Sequence, residues 1–123
     1  MSPHLFDNGR LSYIQIPATS THESAEFYGK VFGWQIRGGN DQHLSFTDAP
    51  GDMIGAWIGG REVSRDAGVL PYIYVHGIDA AIDRIRAHGG ELVKPPYEEG
   101  LLWVATFRDP AGNVIGIWQQ GPR

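Results

Sequence analysis

Two stretches decide the fold: Asp48-Ala49-Pro50-Gly51-Asp52-Met53-Ile54-Gly55-Ala56-Trp57 and Asp109-Pro110-Ala111-Gly112-Asn113-Val114-Ile115-Gly116-Ile117-Trp118. Laid over one another at a spacing of 61 positions, they share Asp, Gly, Ile, Gly and Trp, and Phe46 falls on Phe107. Self-similarity at half the length of a 123-residue chain marks a duplication. The chain is therefore read as a single domain, 1–123, holding one module over about 11–58, a linker over about 59–68 and a second module over about 69–120.

Working outward from the repeat, each half shows the same order of elements. Tyr13 to Ile16 reads as a short alternating strand. A helix over Ser20 to Trp34 follows, with Ser20 and Glu23 at capping-box spacing, an apolar stripe through Ala25, Tyr28 and Phe32, and Gly33 at its end. In the second half Leu70 to Val75 is the strand, Asp79 caps a helix with Ala81, Ile82 and Ile85 on its apolar face, and Gly89-Gly90 stops it. Three strand-like runs follow each helix: near Gln35, Leu44 to Thr47 and Met53 to Ile58 first, then near Leu92, Trp103 to Phe107 and Val114 to Gln119. The unit is βαβββ, and the class α+β. Two such units are expected to form a curved mixed sheet around a central cavity with the helices outside.

Composition narrows the chemistry. There is no cysteine, so disulfides, thiolate metal sites and Cys nucleophiles are excluded together. That fits a reducing cytoplasm, where the protein is expected to reside. The first residues carry no secretory pattern, and the longest apolar run, near Val69 to Val75, is too short to span a membrane. The net charge is −4 with the basic residues scattered, which argues against a nucleic-acid partner.

Three motifs in order resemble the glyoxalase, bleomycin-resistance and extradiol-dioxygenase (vicinal oxygen chelate, VOC) superfamily: AEFYGKVFGW (Ala25 to Trp34), YIYVHGIDAAIDRIRAHGG (Tyr72 to Gly90) and FRDPAGNVIGIW (Phe107 to Trp118). The resemblance covers nearly the whole chain. It implies metal-dependent isomerases, ring-cleaving dioxygenases, antibiotic-modifying enzymes or drug-sequestering proteins, among which fold cannot choose. It also implies homodimers.

In metal-using members of that superfamily, four strands each present one ligand to the cavity. Carried over on the motifs, the four positions fall on Tyr13, Gly55, Leu70 and Gly116. Catalytic Fe, Zn or Ni needs imidazole nitrogen or carboxylate oxygen converging on one point. Leucine and glycine offer neither, so neither a superfamily metal nor any other cofactor is expected. The five histidines, His4, His22, His43, His76 and His88, show no paired ligand spacing and read as surface or capping residues, with His76 at a strand end the most interesting. No Ser-His-Asp set and no phosphate loop is readable.

Strand alternation then assigns the cavity face. If Gly116 faces inward, so do Val114 and Trp118; by the repeat, Met53, Gly55 and Trp57 follow; Leu70 brings Tyr72 and Tyr74, and Tyr13 brings Gln15. The candidate ligand-binding set is Tyr13, Gln15, Met53, Gly55, Trp57, Leu70, Tyr72, Tyr74, Gly116 and Trp118. Aromatic walls with a few polar groups suit a planar organic ligand, although the same aromatics would also fill an empty metal cavity or underlie a dimer contact. The expected function is binding of a small, partly aromatic or apolar molecule by sequestration or sensing. The alternatives are a metal-independent lyase or isomerase using Tyr13, Tyr74 or His76, and an accessory domain that keeps only the fold.

Overall fold

A computed structural model describes residues 6–38, 43–66 and 68–123. His4 and part of the expected linker lie outside the described residues. The chain divides into two compact units, Met1–Glu62 and Val63–Arg123.

The first unit runs β1 (Tyr13–Pro17), α1 (Thr21–Phe32), β2 (Gln35–Arg37), β3 (Ser45–Thr47) and β4 (Ile54–Ile58). Its sheet order is β1-β4-β3-β2, with β1 parallel to β4 and the other pairs antiparallel. The α1 start is fixed as the capping-box spacing predicts: the Glu23 N–H donates to Ser20 Oγ at 3.2 Å. At the other end Gly33 adopts φ 73°, a left-handed angle only glycine takes at little cost. Under the helix lies an aromatic core. Trp34 stacks between Tyr28 and Phe46, at 4.6 and 4.4 Å between ring centroids, and Trp57 closes against Phe46 at 4.8 Å.

The second unit repeats the order: β5 (Tyr72–Tyr74), α2 (Ile78–Ala87), β6 (Glu91–Glu99), β7 (Leu102–Arg108) and β8 (Val114–Gln120). Its sheet order is β5-β8-β7-β6, again with one parallel pair, β5 with β8. Ile78, Ala81, Ile82 and Ile85 of α2 are buried, as are Ala105, Phe107, Ile115 and Ile117 of the sheet. Asp79 is not the helix cap. Gly77 holds that position without a side-chain bond. The donor that a cap would satisfy is met from across the unit, because the Ile78 N–H gives 2.7 Å to Gln119 Oε1. Asp79 instead pairs with Arg123 at 3.1 Å.

The repeat carries one irregularity that matters for the site. In both hairpins a turn bond joins the glycine N–H to the aspartate carbonyl, Gly51 to Asp48 and Gly112 to Asp109. The first hairpin then closes from the Asp48 N–H to Met53, five positions on, whereas the second closes from Asp109 to Asn113, four positions on. Beyond the turn, therefore, the structural offset is 60 rather than 61: Phe46 lies opposite Gly55, but Phe107 lies opposite Ile115. The structural counterpart of Gly116 is Ala56, and that of Trp57 is Ile117.

Candidate functional site

A slip of one residue in a strand turns every side chain to the other face. The candidate set divides accordingly, and each unit is taken by itself.

In the first unit Trp57 and Gly55 face the helix, not the open side of the sheet. Trp57 is 1% exposed and packs against Tyr28, Trp34 and Phe46. A Cβ placed on Gly55 would come within 2.4 Å of the buried Phe46 ring and 2.3 Å of the Ile14 carbonyl oxygen. Both residues leave the binding set, because the ungapped repeat ignored the longer first hairpin. Met53 sits half-buried in that hairpin, its carbonyl taken by Asp48. Tyr13 and Gln15 do share the open face, beside Ile54 and Ala56. That face is polar: Arg61 donates to Gln15 Oε1 at 2.7 Å, Gln15 Nε2 reaches the Tyr13 hydroxyl at 3.5 Å, and Arg37 donates to Thr47.

In the second unit Tyr72, Tyr74, Gly116 and Trp118 come together on the side of the sheet away from α2. Tyr72 lies beside Gly116 and Tyr74 beside Trp118 in the parallel pair. Tyr74 meets Trp118 edge to face at 4.7 Å, and His76 meets Tyr74 edge to face at 5.7 Å. Tyr72 and Tyr74 are 42% and 43% exposed, so this is an aromatic surface open to solvent. Leu70 precedes β5 and is half-buried.

The sequence reading missed three residues of the same face: Lys94, Tyr97 and Glu99, all on β6. Three positions apart, Lys94 and Tyr97 would point to opposite faces of a regular strand. The register of β6 shifts between them, around Pro95-Pro96, so that Lys94 lies beside Thr106 and Tyr97 beside Val104. Thr106 and Val104 in turn flank Gly116 and Trp118. A bulge on an edge strand is where two prolines without N–H groups are tolerated, and it re-aims the side chains after it. The Lys94 ammonium stands 4.2 Å from the centroid of the Tyr97 ring. Desolvation, followed by the nearby Tyr72 and the Glu99 carboxylate, pushes the Tyr97 phenol above its ordinary value. The Pro-Pro pair inside an otherwise extended run was the only signal of this bulge.

The residues present do not fit a superfamily metal. Tyr13, Leu70 and Gly116 keep their positions and Ala56 replaces Gly55, so the set offers one phenol and no imidazole or carboxylate. Among the described residues no group of three or more His, Asp or Glu side chains could hold a metal ion. His22 and His76 are exposed and His88 forms the C-cap of α2.

Residues 10–117 match the Glyoxalase/Bleomycin resistance protein/Dioxygenase superfamily. The protein CFP32 of Mycobacterium bovis is 26% identical over 124 residues; the match takes in 93% of this chain but 47% of that protein, so the chain spans about half of its length. The fosfomycin resistance protein FosX of Listeria monocytogenes superposes with a TM-score of 0.75 at 16% identity, over 92% of this chain and 94% of that one. TnmS3, an antibiotic binding protein of Streptomyces sp. CB03234, does so with 0.69 at 20% identity, over 92% and 97%. At these identities the likeness to the solved structures is one of fold. No helix among the described residues is long and apolar enough to cross a membrane.

Proposed function

Since the chain belongs to the glyoxalase/bleomycin resistance protein/dioxygenase superfamily, we propose that it binds a small, planar, partly aromatic molecule without a metal, and returns it unchanged. The observation that carries this reading is the exposed aromatic face of the second unit, where Tyr72, Tyr74 and Trp118 stand around Gly116. Rings held edge to face present a rigid apolar wall, and each ligand ring stacked on such a wall contributes about 0.5–1.5 kcal/mol beyond its buried area. Lys94, Tyr97 and Glu99 supply the few polar groups that fix orientation in such sites. A solved relative of this fold is named as an antibiotic binding protein, which supports sequestration as the role. We further propose a homodimer in the cytoplasm; Leu101 and Val69, 91% and 89% exposed, are apolar surface that a second copy would cover.

The rival is a metal-independent lyase or isomerase. Its proton donor would be Tyr97, a phenol on the same face, although the upward shift of that phenol makes it a weaker acid at neutral pH. Turnover separates the two. Mass spectrometry of the denatured protein after gentle purification should release an intact, ring-bearing small molecule. Loss of a supplied ligand to a product under the same conditions would favour the enzyme.

A further inference from the structure

We infer that the open face of the first unit is a site for a small molecule carrying an oxyanion, a carboxylate or phosphate group, seated over Ile54 and Ala56 with Tyr13 and Arg61 on one side and Thr47 and Arg37 on the other. This site is built from the first unit alone and owes nothing to the aromatic face of the second.

Register assembles the face. Two rows run across the four strands: Tyr13, Ile54, Thr47 and Gln35, then Gln15, Ala56, Ser45 and Arg37. Adjacent strands lie about 4.8 Å apart, so Tyr13 and Thr47 stand about 10 Å apart across Ile54. Ile54 and Ala56 are half-buried and form an apolar floor. Ala56 and Ser45 are small, which keeps the second row low between Gln15 and Arg37.

Hydrogen bonds fix what each polar group has left to offer. A guanidinium only donates, so Gln15 turns its amide oxygen to Arg61, at 2.7 Å. Its Nε2 is then directed at the Tyr13 oxygen, 3.5 Å away, and that hydroxyl keeps its own proton for another acceptor. Arg37 donates to Thr47 Oγ1 and, at 3.3 Å, to the Phe46 carbonyl, so the Thr47 hydroxyl likewise keeps a proton to give. Among the described residues neither guanidinium meets a carboxylate; the ion pairs there are Lys30 with Glu26 and Arg123 with Asp79. No strand of this unit contains an aspartate or glutamate. In the hairpin between β3 and β4, Asp48 Oδ1 is taken by the N–H groups of Gly51, Asp52 and Met53. The face therefore presents donors and positive charge with no carboxylate to meet them, the complement of an oxyanion.

NMR titration of the isotope-labelled chain with sodium benzoate and, separately, with inorganic phosphate tests this at neutral pH. Ionic strength is held constant with chloride, so that general screening does not change. At least one anion should bind saturably and move the Arg61 and Arg37 Nε–H signals together with the backbone amides of Ile54 and Ala56. Saturation by benzoate alone identifies a carboxylate ligand, and by phosphate alone a phosphoryl one. Tyr13→Phe and Gln15→Leu keep the net charge and lie at exposed positions. Each should weaken that binding about tenfold, the equivalent of one hydrogen bond to a charged group. Lys30→Gln, which removes an exposed positive charge from α1 on the other side of the sheet, should leave it unchanged. Saturation by neither anion would overturn the inference. So would full-strength binding in either Tyr13→Phe or Gln15→Leu, or an equal loss in Lys30→Gln.

Discussion

The ring of Tyr72 occupies the space above the bare backbone of Gly116. Gly55, its partner in the sequence repeat, is glycine for a different reason: its α-hydrogen faces the buried Phe46 ring and the Ile14 carbonyl. The neighbour differs in freedom. Tyr72 is 42% exposed and can swing into solvent, whereas Phe46 is fully buried and the Ile14 oxygen belongs to the backbone. Gly55→Ala should therefore cost about 2–3 kcal/mol, as overpacking in a filled core does. Gly116→Ala should cost less than about 1 kcal/mol, since it also loses the entropic penalty of glycine in a strand. Urea denaturation of the two variants checks this; equal losses would contradict the assignment of faces.

The two repeat tryptophans should behave as differently. Trp118 lies on the open aromatic face, while Trp57 is 1% exposed beneath α1. With 4-nitrophenol as a quenching probe, Trp118→Phe should remove most of the ligand-dependent change in emission, and Trp57→Phe should retain it. Trp57→Ala should cost about 3–5 kcal/mol through loss of core packing. The reverse pattern of quenching would place the site under the helix.

Much of this was legible in the sequence. The duplication, both helices, the Ser20 cap, the Gly33 stop and most strands follow from periodicity and turn residues, and the aromatic cluster Tyr72, Tyr74 and Trp118 follows from strand alternation once the superfamily resemblance sets Leu70 and Gly116 on the cavity face. What failed was register. One additional residue in the Asp48 hairpin inverted Gly55 and Trp57, and a bulge at Pro95-Pro96 hid Tyr97 and Lys94. Both are single-residue irregularities, which alternate-face counting cannot absorb. The cap of α2 was missed for another reason: its acceptor, Gln119, is 41 positions from Ile78.

The two hairpin aspartates give a test of that register at the turns. Asp109 is 3% exposed, and its carboxylate accepts from the N–H groups of Ala111, Gly112 and Asn113 and from Asn113 Nδ2, at 2.9 to 3.0 Å. Asn113 Oδ1 in turn accepts from the Ser64 N–H at 2.8 Å. Asp48 accepts from Gly51, Asp52 and Met53, but in a half-buried, longer loop. Asp109→Ala should cost about 2–4 kcal/mol, because several buried donors lose an ionised acceptor. Asp48→Ala should cost about 1 kcal/mol, its donors being less buried than those of Asp109. Thermal denaturation of both variants reads the difference.

Tyr97 makes a pH-dependent prediction. Its phenol is raised above the ordinary value of 10.0, by desolvation first and then by Tyr72 and Glu99. A proton held more tightly in the folded than in the unfolded chain contributes stability in full below the ordinary phenol pKa. That contribution fades as pH rises through the folded value. Alkaline titration followed by tyrosinate absorbance should include a late-ionising phenol contributed by Tyr97. Glu99→Gln should bring that ionisation to lower pH by removing the nearby charge, and Tyr97→Phe should abolish it. An unchanged late phenol in Tyr97→Phe would assign it elsewhere.

Metal-free binding is proposed for the aromatic face of the second unit. Its most direct test is equilibrium dialysis of chelator-treated protein against 2-naphthol, with the ligand then recovered and weighed by mass spectrometry. Close to one ligand per chain should be bound, undiminished by chelation and unaffected by added Zn, Ni, Mn or Fe(II). The ligand should be recovered intact, and Trp118→Ala and Tyr74→Ala should each weaken binding at least about tenfold, as loss of a stacking wall would. Binding that appears only after metal is restored, or that survives both substitutions at full strength, would contradict it.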